Sequence, residues 1–285
     1  MIIDFHTHTF PDSIASKVIH NLAAACGTKP FSDGTVSGLI SSMKNAGIGY
    51  SVNLPVMTTV GQVKKINASM IAQKDDLLEN GIIAFGGMHP DCPDYKEKLR
   101  ALAKAGIKGF KLHPAYQKTY FDDIKILRII SCASELGLIV LTHAGIDIGV
   151  YDDNYCTAAH ILNVIKEVQP EKLVLAHMGN WACWDAVEKD LAGAPVWFDS
   201  SFSIGPYTPY PDAKPSPYFH CDMKKETFLR IARAHGIDKI LFATDSPWQD
   251  QKSYVDSFKT IGMTKEEQEL FFYKNAAKLL NLTLD

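Results

Sequence analysis

The apolar residues of this chain follow a recurring unit. An amphipathic stretch ends in a glycine, and a short apolar run opened by Ile or Leu follows. The junctions are Ala46-Gly47-Ile48, Asn80-Gly81-Ile82, Ala105-Gly106-Ile107, Leu136-Gly137-Leu138 and His235-Gly236-Ile237. A glycine just past a helix accepts the left-handed conformation without steric cost. The run after it reads as a parallel strand buried on both faces. Eight strands are predicted: Ile2–His6, Tyr50–Leu54, Ile82–Met88, Ile107–Leu112, Leu138–Thr142, Leu173–Ala176, Val196–Asp199 and Ile240–Thr244. Helical periodicity covers Val60–Glu79, Tyr95–Ala105, Asp123–Leu136, Ala158–Val168 and Lys224–His235. Thr264, followed by Glu266 and Glu267, reads as an N-cap with acids in the first turn. Ala276, Leu279 and Leu280 give the helix after it an apolar face.

Alternating β and α elements in this number predict an α/β chain closed as a (β/α)8 TIM barrel. An open doubly wound sheet would carry a glycine-rich phosphate loop after its first strand. That place holds His6-Thr7-His8-Thr9-Phe10-Pro11 instead. One domain is expected over 1–285, with insertions at about 9–34 and 203–222. The second insertion, rich in Pro and Tyr, is expected as a semi-rigid lid or pocket wall over the barrel mouth.

Composition narrows the function classes. Of 285 residues, 46% are hydrophobic and 21% charged, the profile of a chain with a sizeable core. The net charge of −3 comes without a basic stripe, so neither nucleic acid nor an anionic membrane is an expected partner. No apolar run approaches the roughly 18 residues needed to span a bilayer. Nothing at the N-terminus resembles a cleavable leader. The six cysteines are scattered without a C-x-x-C pair, which suits reduced thiols in a cytoplasmic protein and argues against cysteine-bound zinc. A small-molecule substrate is the expected partner, and a homodimer is the base expectation.

In a barrel of this kind the chemistry gathers where strands end at their C-termini. Here those ends read His6-Thr7-His8, Met88-His89-Pro90, Lys111-Leu112-His113, Thr142-His143-Ala144, Ala176-His177-Met178, Asp199-Ser200-Ser201 and Thr244-Asp245-Ser246. Six of the ten histidines lie there: His6, His8, His89, His113, His143 and His177. Strand alternation puts His6 and His8 on one side, as a pair able to grip one metal ion. His143, His177 and Asp245 complete the set that such a pair needs. His89 reads as a structural rim residue, and His113 as either a substrate contact or a structural one. Phe10, Tyr116, Trp181, Phe202 and Trp248 allow a small, partly aromatic ligand near the rim, or belong to the core.

With these stretches in place, the chain resembles the amidohydrolase superfamily. The nearest group is the amidohydrolase-related one that includes aminocarboxymuconate semialdehyde decarboxylase-like enzymes. The resemblance rests on Asp4-Phe5-His6-Thr7-His8, Gly109-Phe110-Lys111-Leu112-His113-Pro114, Thr142-His143-Ala144-Gly145, Ala176-His177-Met178-Gly179, Phe198-Asp199-Ser200-Ser201, Thr244-Asp245-Ser246-Pro247-Trp248 and Asn275-Ala276. It implies that His6, His8 and His143 ligate a metal. Asp245 would ligate or abut that metal and take a proton from its water, and His177 would orient the water or act as acid/base. A single Zn2+ is expected, with another divalent ion or a binuclear site as alternatives. Lys111 is expected to hold an anionic substrate group beside His113 and Trp248. A buried ion pair, or a carboxylated lysine bridging two metals, are its other readings.

The family resemblance covers both hydrolysis and decarboxylation. The leading expectation is a metal-dependent hydrolase of a small amide, ester or lactone. The alternative is a non-oxidative decarboxylase of a small unsaturated or aromatic acid. Arginine would hold a substrate carboxylate best, yet Arg100, Arg128, Arg230 and Arg233 all read as helical and none falls on the rim. A non-catalytic metal-binding barrel would be expected to have lost some of these ligands.

Overall fold

The computed structural model describes residues 1–205, 207–211, 213, 214 and 216–283. Parallel strands pair in chain order: β1 (Ile3–Thr7), β2 (Tyr50–Asn53), β3 (Ile82–Ala84), β4 (Gly86–Gly87), β5 (Gly109–Leu112), β6 (Ile139–Thr142), β7 (Leu173–Leu175), β8 (Trp197–Asp199) and β9 (Ile240–Leu241). β3 and β4 are two pieces of one predicted strand, so the chain forms the expected (β/α)8 barrel. The break has a local cause. Asn67 binds both backbone groups of Gly87, donating Nδ2 to its carbonyl at 3.0 Å and accepting its N–H at 2.9 Å. Those groups are thereby withdrawn from β2, and β4 pairs only with β5.

β9 is shorter than its predicted Ile240–Thr244 for a similar reason. Ser200 Oγ accepts the Ala243 N–H at 3.0 Å, and Asp4 accepts that of Thr244 at 3.0 Å. The barrel still closes across this seam. Phe5 N donates to Phe242 O at 2.9 Å, Asp245 N to His6 O at 2.8 Å, and His8 N to Ser246 O at 2.7 Å.

Helices α1 (Asp12–Cys26), α2 (Val36–Ala46) and α3 (Val60–Glu79) lead an outer layer. It continues with Tyr95–Lys104, Ile124–Glu135, Ala158–Val168, Lys225–His235 and Gln251–Lys259. Side chains cap their starts: Thr35 accepts from Gly38 N, Thr157 from His160 N, and Thr264 from Glu267 N. Gly47, Gly81, Gly106 and Gly137 follow helices with φ between 64° and 81°, as the repeat predicts. Gly236 departs from it, with φ 106° and ψ 107°.

Phe110, Val140, Leu175 and Phe198 fill the layer between strands and helices. Ile3, Phe5, Phe85, Leu141 and Val174 fill the barrel's interior, where Ala276, Leu279 and Leu280 of the Asn275–Leu280 helix join them. No helix among the described residues is long and apolar enough to cross a membrane.

The 203–222 insertion differs from its expected role. Its Thr208 carbonyl accepts from Lys29 N at 2.8 Å, and Tyr210 N donates to Gly27 O at 2.9 Å, strapping it to the first insertion. None of its described residues lines the central cavity; the 9–34 insertion forms that wall. Pro206, Asp212 and Pro215 of this insertion lie outside the described residues.

Asp4 locks the seam. Its buried carboxylate accepts from His6 N at 3.2 Å, Thr244 N at 3.0 Å, Thr244 Oγ1 at 2.5 Å and Gln251 Nε2 at 2.7 Å. Asp4→Ala would strand these buried donors. It is expected to cost about 3 kcal/mol or more, read as a lowered urea midpoint. An unchanged midpoint would show that the seam holds without Asp4.

Candidate metal centre

β1 presents its histidines through a bulge. Register runs Ile3 to Tyr50 and Asp4 to Ser51, then Thr7 to Asn53, so one extra residue sits on β1. Strict alternation would put His6 on the face opposite Phe5. The bulge resets it. Phe5 packs in the interior core, and His6 beside it also faces inward, with its Nε2 3.1 Å from Lys111 Nζ.

Three predicted ligands converge. His6 Nε2 lies 3.2 Å from His8 Nε2 and 3.5 Å from Asp245 Oδ1, and His8 Nε2 lies 3.1 Å from the same oxygen. Their partners fix where the ring protons are. His6 Nδ1 faces Asp199 Oδ2 at 2.9 Å, and His8 Nδ1 faces the Leu54 carbonyl at 2.6 Å. Both partners only accept, so each Nδ1 carries the hydrogen and each neutral ring keeps a bare lone pair on Nε2. Two lone pairs and a carboxylate oxygen therefore face one another with no proton of their own between them. Ligand atoms about 2.0–2.2 Å from a zinc-sized ion at tetrahedral angles stand roughly 3.3–3.5 Å apart. The triangle thus fits a single cation, and its N and O donors suit zinc and manganese alike.

His143 is placed differently from this trio. It falls in a second buried group with His113 and Asp147, not within ligand range of the whole first one. His177 Nδ1 donates to Ser201 O at 2.9 Å, so its Nε2 accepts from His143 Nδ1 at 3.0 Å. That leaves His143 Nε2 a bare lone pair, buried and without a partner. All three histidines expected as ligands thus offer Nε2. The second group is poorer as a metal site. His113 Nδ1 accepts from Tyr116 N at 3.3 Å, so its Nε2 carries the hydrogen toward Asp147, 3.6 Å away. Its ring also stacks on His143 with centroids 4.5 Å apart, and its one lone pair is already taken by the Tyr116 N–H. His113 caps the Pro114–Gln117 turn, the structural one of its two readings, and it also lines the cavity.

Burial, then the Lys111 ammonium, pulls His6 down to about 4. Burial likewise pushes His113, His143 and His177 below the usual range. For Asp245, burial acts upward, but His6, His8 and His177 outweigh it and hold the carboxyl well below normal. Asp199, buried yet facing His6, His177 and Lys111, sits at about 2. Burial takes Lys111 down to about 8 against the pull of Asp199 and Asp245. Asp245 and His177 hold left-handed backbones, φ 67° and 61°. Such strain in non-glycine residues gathers at functional sites.

A cavity of about 550 Å3 opens on this rim. Lys111, His113 and Trp248 all line it, as do Phe10, Tyr116, Trp181 and Phe202. His89 does not; it accepts from Asp91 N at 3.2 Å, the structural part expected of it. Sequence reading left Asp4, Asp147 and Asp199 without roles. Asp199 had a visible signal, since it ends β8 on the same rim; Asp147, in a loop, had none.

The family model described as "Amidohydrolase" matches residues 3–282. The chain belongs to that family. No curated protein matches it. Among solved structures it is similar to an uncharacterized TIM-barrel protein, Bb4693, from Bordetella bronchiseptica (TM-score 0.73, 18% identity, 98% of each chain covered). It is also similar to 2,6-dihydroxybenzoate decarboxylase from Rhizobium (TM-score 0.69, 12% identity, 98% of each covered). A third is 5-carboxyvanillate decarboxylase from Novosphingobium aromaticivorans, complexed with manganese and 4-hydroxy-3-methoxy-5-nitrobenzoic acid. It has a TM-score of 0.70 and 13% identity, covering 99% of this chain and 96% of that one. At these identities the likeness establishes the fold.

His6 is expected to stay neutral in the metal-free protein until the pH falls to about 4. Its folded value lies below the unfolded one, so the stability it contributes is complete above about 6.5 and is lost as pH falls toward 4. Ring resonances followed by NMR check this; a midpoint near 6.5 would contradict it. Asp199→Asn, which loosens the proton lock on His6, is expected to weaken divalent-metal affinity about 10- to 100-fold. Unaltered affinity by calorimetry would remove Asp199 from the site.

Proposed function

We propose that the chain is a metal-dependent non-oxidative decarboxylase of a small aromatic or unsaturated acid. The observation that carries this is one buried cation against a largely apolar wall. Among the described residues, Lys111 is the only Lys or Arg that is buried, and it lines the cavity with Trp181, Phe202 and Trp248. Arg230 and Arg233 are engaged on the surface with Glu188 and Glu267. The metal-holding decarboxylase among the structural neighbours supports the same reading.

The proposed ligands are His6, His8 and Asp245, with His143 beside them. Zinc or manganese, one ion, would act there as a Lewis acid on the substrate's oxygens. The second group offers fewer free lone pairs, which favours one ion over two. Lys111 holds the substrate carboxylate as a point charge. The carbon–carbon bond to that group breaks, carbon dioxide leaves uncharged, and the electron pair stays on the substrate carbon. Asp245, ionised at rest, takes a proton from solvent and passes it to that carbon. His177 positions His143 through the 3.0 Å hydrogen bond. The apolar wall keeps water from the reacting carbon and offers few partners to an amide or lactone leaving group. Hydrolysis remains the second reading, because the Asp245 carboxylate beside two imidazole lone pairs is equally placed to deprotonate water. The unpaired cysteines fit a cytoplasmic place of action.

After chelation and repletion with manganese or zinc, a panel of hydroxybenzoic and conjugated enoic acids is expected to release carbon dioxide. Amides, esters and lactones should stay intact; their cleavage without carbon dioxide release would replace decarboxylation by hydrolysis. His8→Ala should lose bound metal. His177→Ala should keep it and slow turnover about 10- to 100-fold. Full metal in the first variant, or full rate in the second, would overturn that residue's part.

A further inference from the structure

Helix α1 carries two apolar stripes where one suffices. Ala15, Ile19, Ala23 and Cys26 are buried against the body of the protein. Ile14, Val18 and Leu22, spaced four residues apart, form a second stripe along the cavity wall. Ile14 is 47% exposed, and Val18 and Leu22 are half-buried. A helix face turned only to solvent would be polar at these positions. Val56, which follows β2, and Ile66 and Met70 of α3 line the same cavity. The cavity runs on from these residues to His6, Lys111 and Asp245, so stripe and rim belong to one space.

Size points the same way. A dry cavity of about 150 Å3 accommodates a benzene ring. The cavity here, about 550 Å3, has roughly three to four times that room. A lone ring on the rim would leave the α1 and α3 walls wet.

We propose that this part of the cavity is a subsite for an apolar tail, and that the substrates are amphipathic: an acid head at Lys111 joined to an alkyl or extended hydrocarbon portion lying between α1 and α3. The head's placement rests on the decarboxylase reading; the tail subsite rests on the stripe and the cavity alone. Gln62 and Lys65 of α3 also reach the wall. They leave room for a polar group on the tail, but the two apolar faces set its main character.

The test uses two probe series with the full-length, manganese-loaded protein: straight-chain alkanoates of four to ten carbons, and 1-alkanols of the same lengths. Affinity by calorimetry is expected to rise about three- to fourfold per added methylene until the channel is full. Val18→Trp, which fills the channel, is expected to flatten this dependence. Ile14→Asp, at an exposed position that tolerates a charge, should weaken the longest probes at least tenfold. Circular dichroism and thermal midpoints confirm that each variant is folded. Affinity independent of chain length in both series would overturn the subsite. So would a chain-length dependence that both folded variants leave intact. The alkanols lack an acid, so their chain dependence tests the tail subsite by itself. If it holds while no acid releases carbon dioxide, the subsite stands and the decarboxylase reading falls.

Discussion

His6 donates its one ring N–H to the Asp199 carboxylate, and most of what the rim can do follows from that. With the proton fixed on Nδ1, the Nε2 lone pair is bare and turned toward another bare nitrogen and a carboxylate. Lone pairs at this separation repel unless a cation lies among them. Lys111 supplies one cation at 3.1 Å from His6 Nε2. A metal would compete for that same lone pair, leaving the ammonium without this partner. The same hydrogen bond thus frees a metal ligand and leaves a neighbouring charge to be satisfied by what binds.

The seam between β1 and β9 brings these atoms together from opposite ends of the chain. Backbone hydrogen bonds from His8 to Ser246 and from Asp245 to His6 set the distance. The Asp4 carboxylate takes up donors that the twisted seam leaves without ladder partners. Asp245 holds a left-handed backbone here, a conformation worth keeping only where the surroundings over-determine it. Stability and site geometry share the same few contacts, and Asp4 holds the rim in place without touching the cavity.

Much of this is legible in the chain itself. The repeated glycine after each helix marks the strand starts, and the histidines at strand ends mark the working rim of a barrel. Two features are hidden because they depend on distant partners. The split of the third predicted strand comes from Asn67, a helical residue whose side chain captures Gly87. The inward turn of His6 comes from a bulge, since alternation alone would place it opposite Phe5. Sequence also offers no way to see that His143 stands nearer His113 and Asp147 than the full His6 group, because its position depends on ring stacking and on the proton it gives to His177. The long Pro- and Tyr-rich insertion reads as a lid or pocket wall, yet its Thr208 and Tyr210 bond to the first insertion, whose helix α1 makes the wall. Composition identifies a loop near the mouth, but not which of two neighbouring loops faces inward.

An anomalous-scattering map from crystals grown with manganese tests the central claim most directly. One ion is expected, bonded to His6 Nε2, His8 Nε2 and Asp245, with Asp199 still holding His6 Nδ1. An ion lodged instead among His113, His143 and Asp147, or no ion at the rim at saturating manganese, would contradict it.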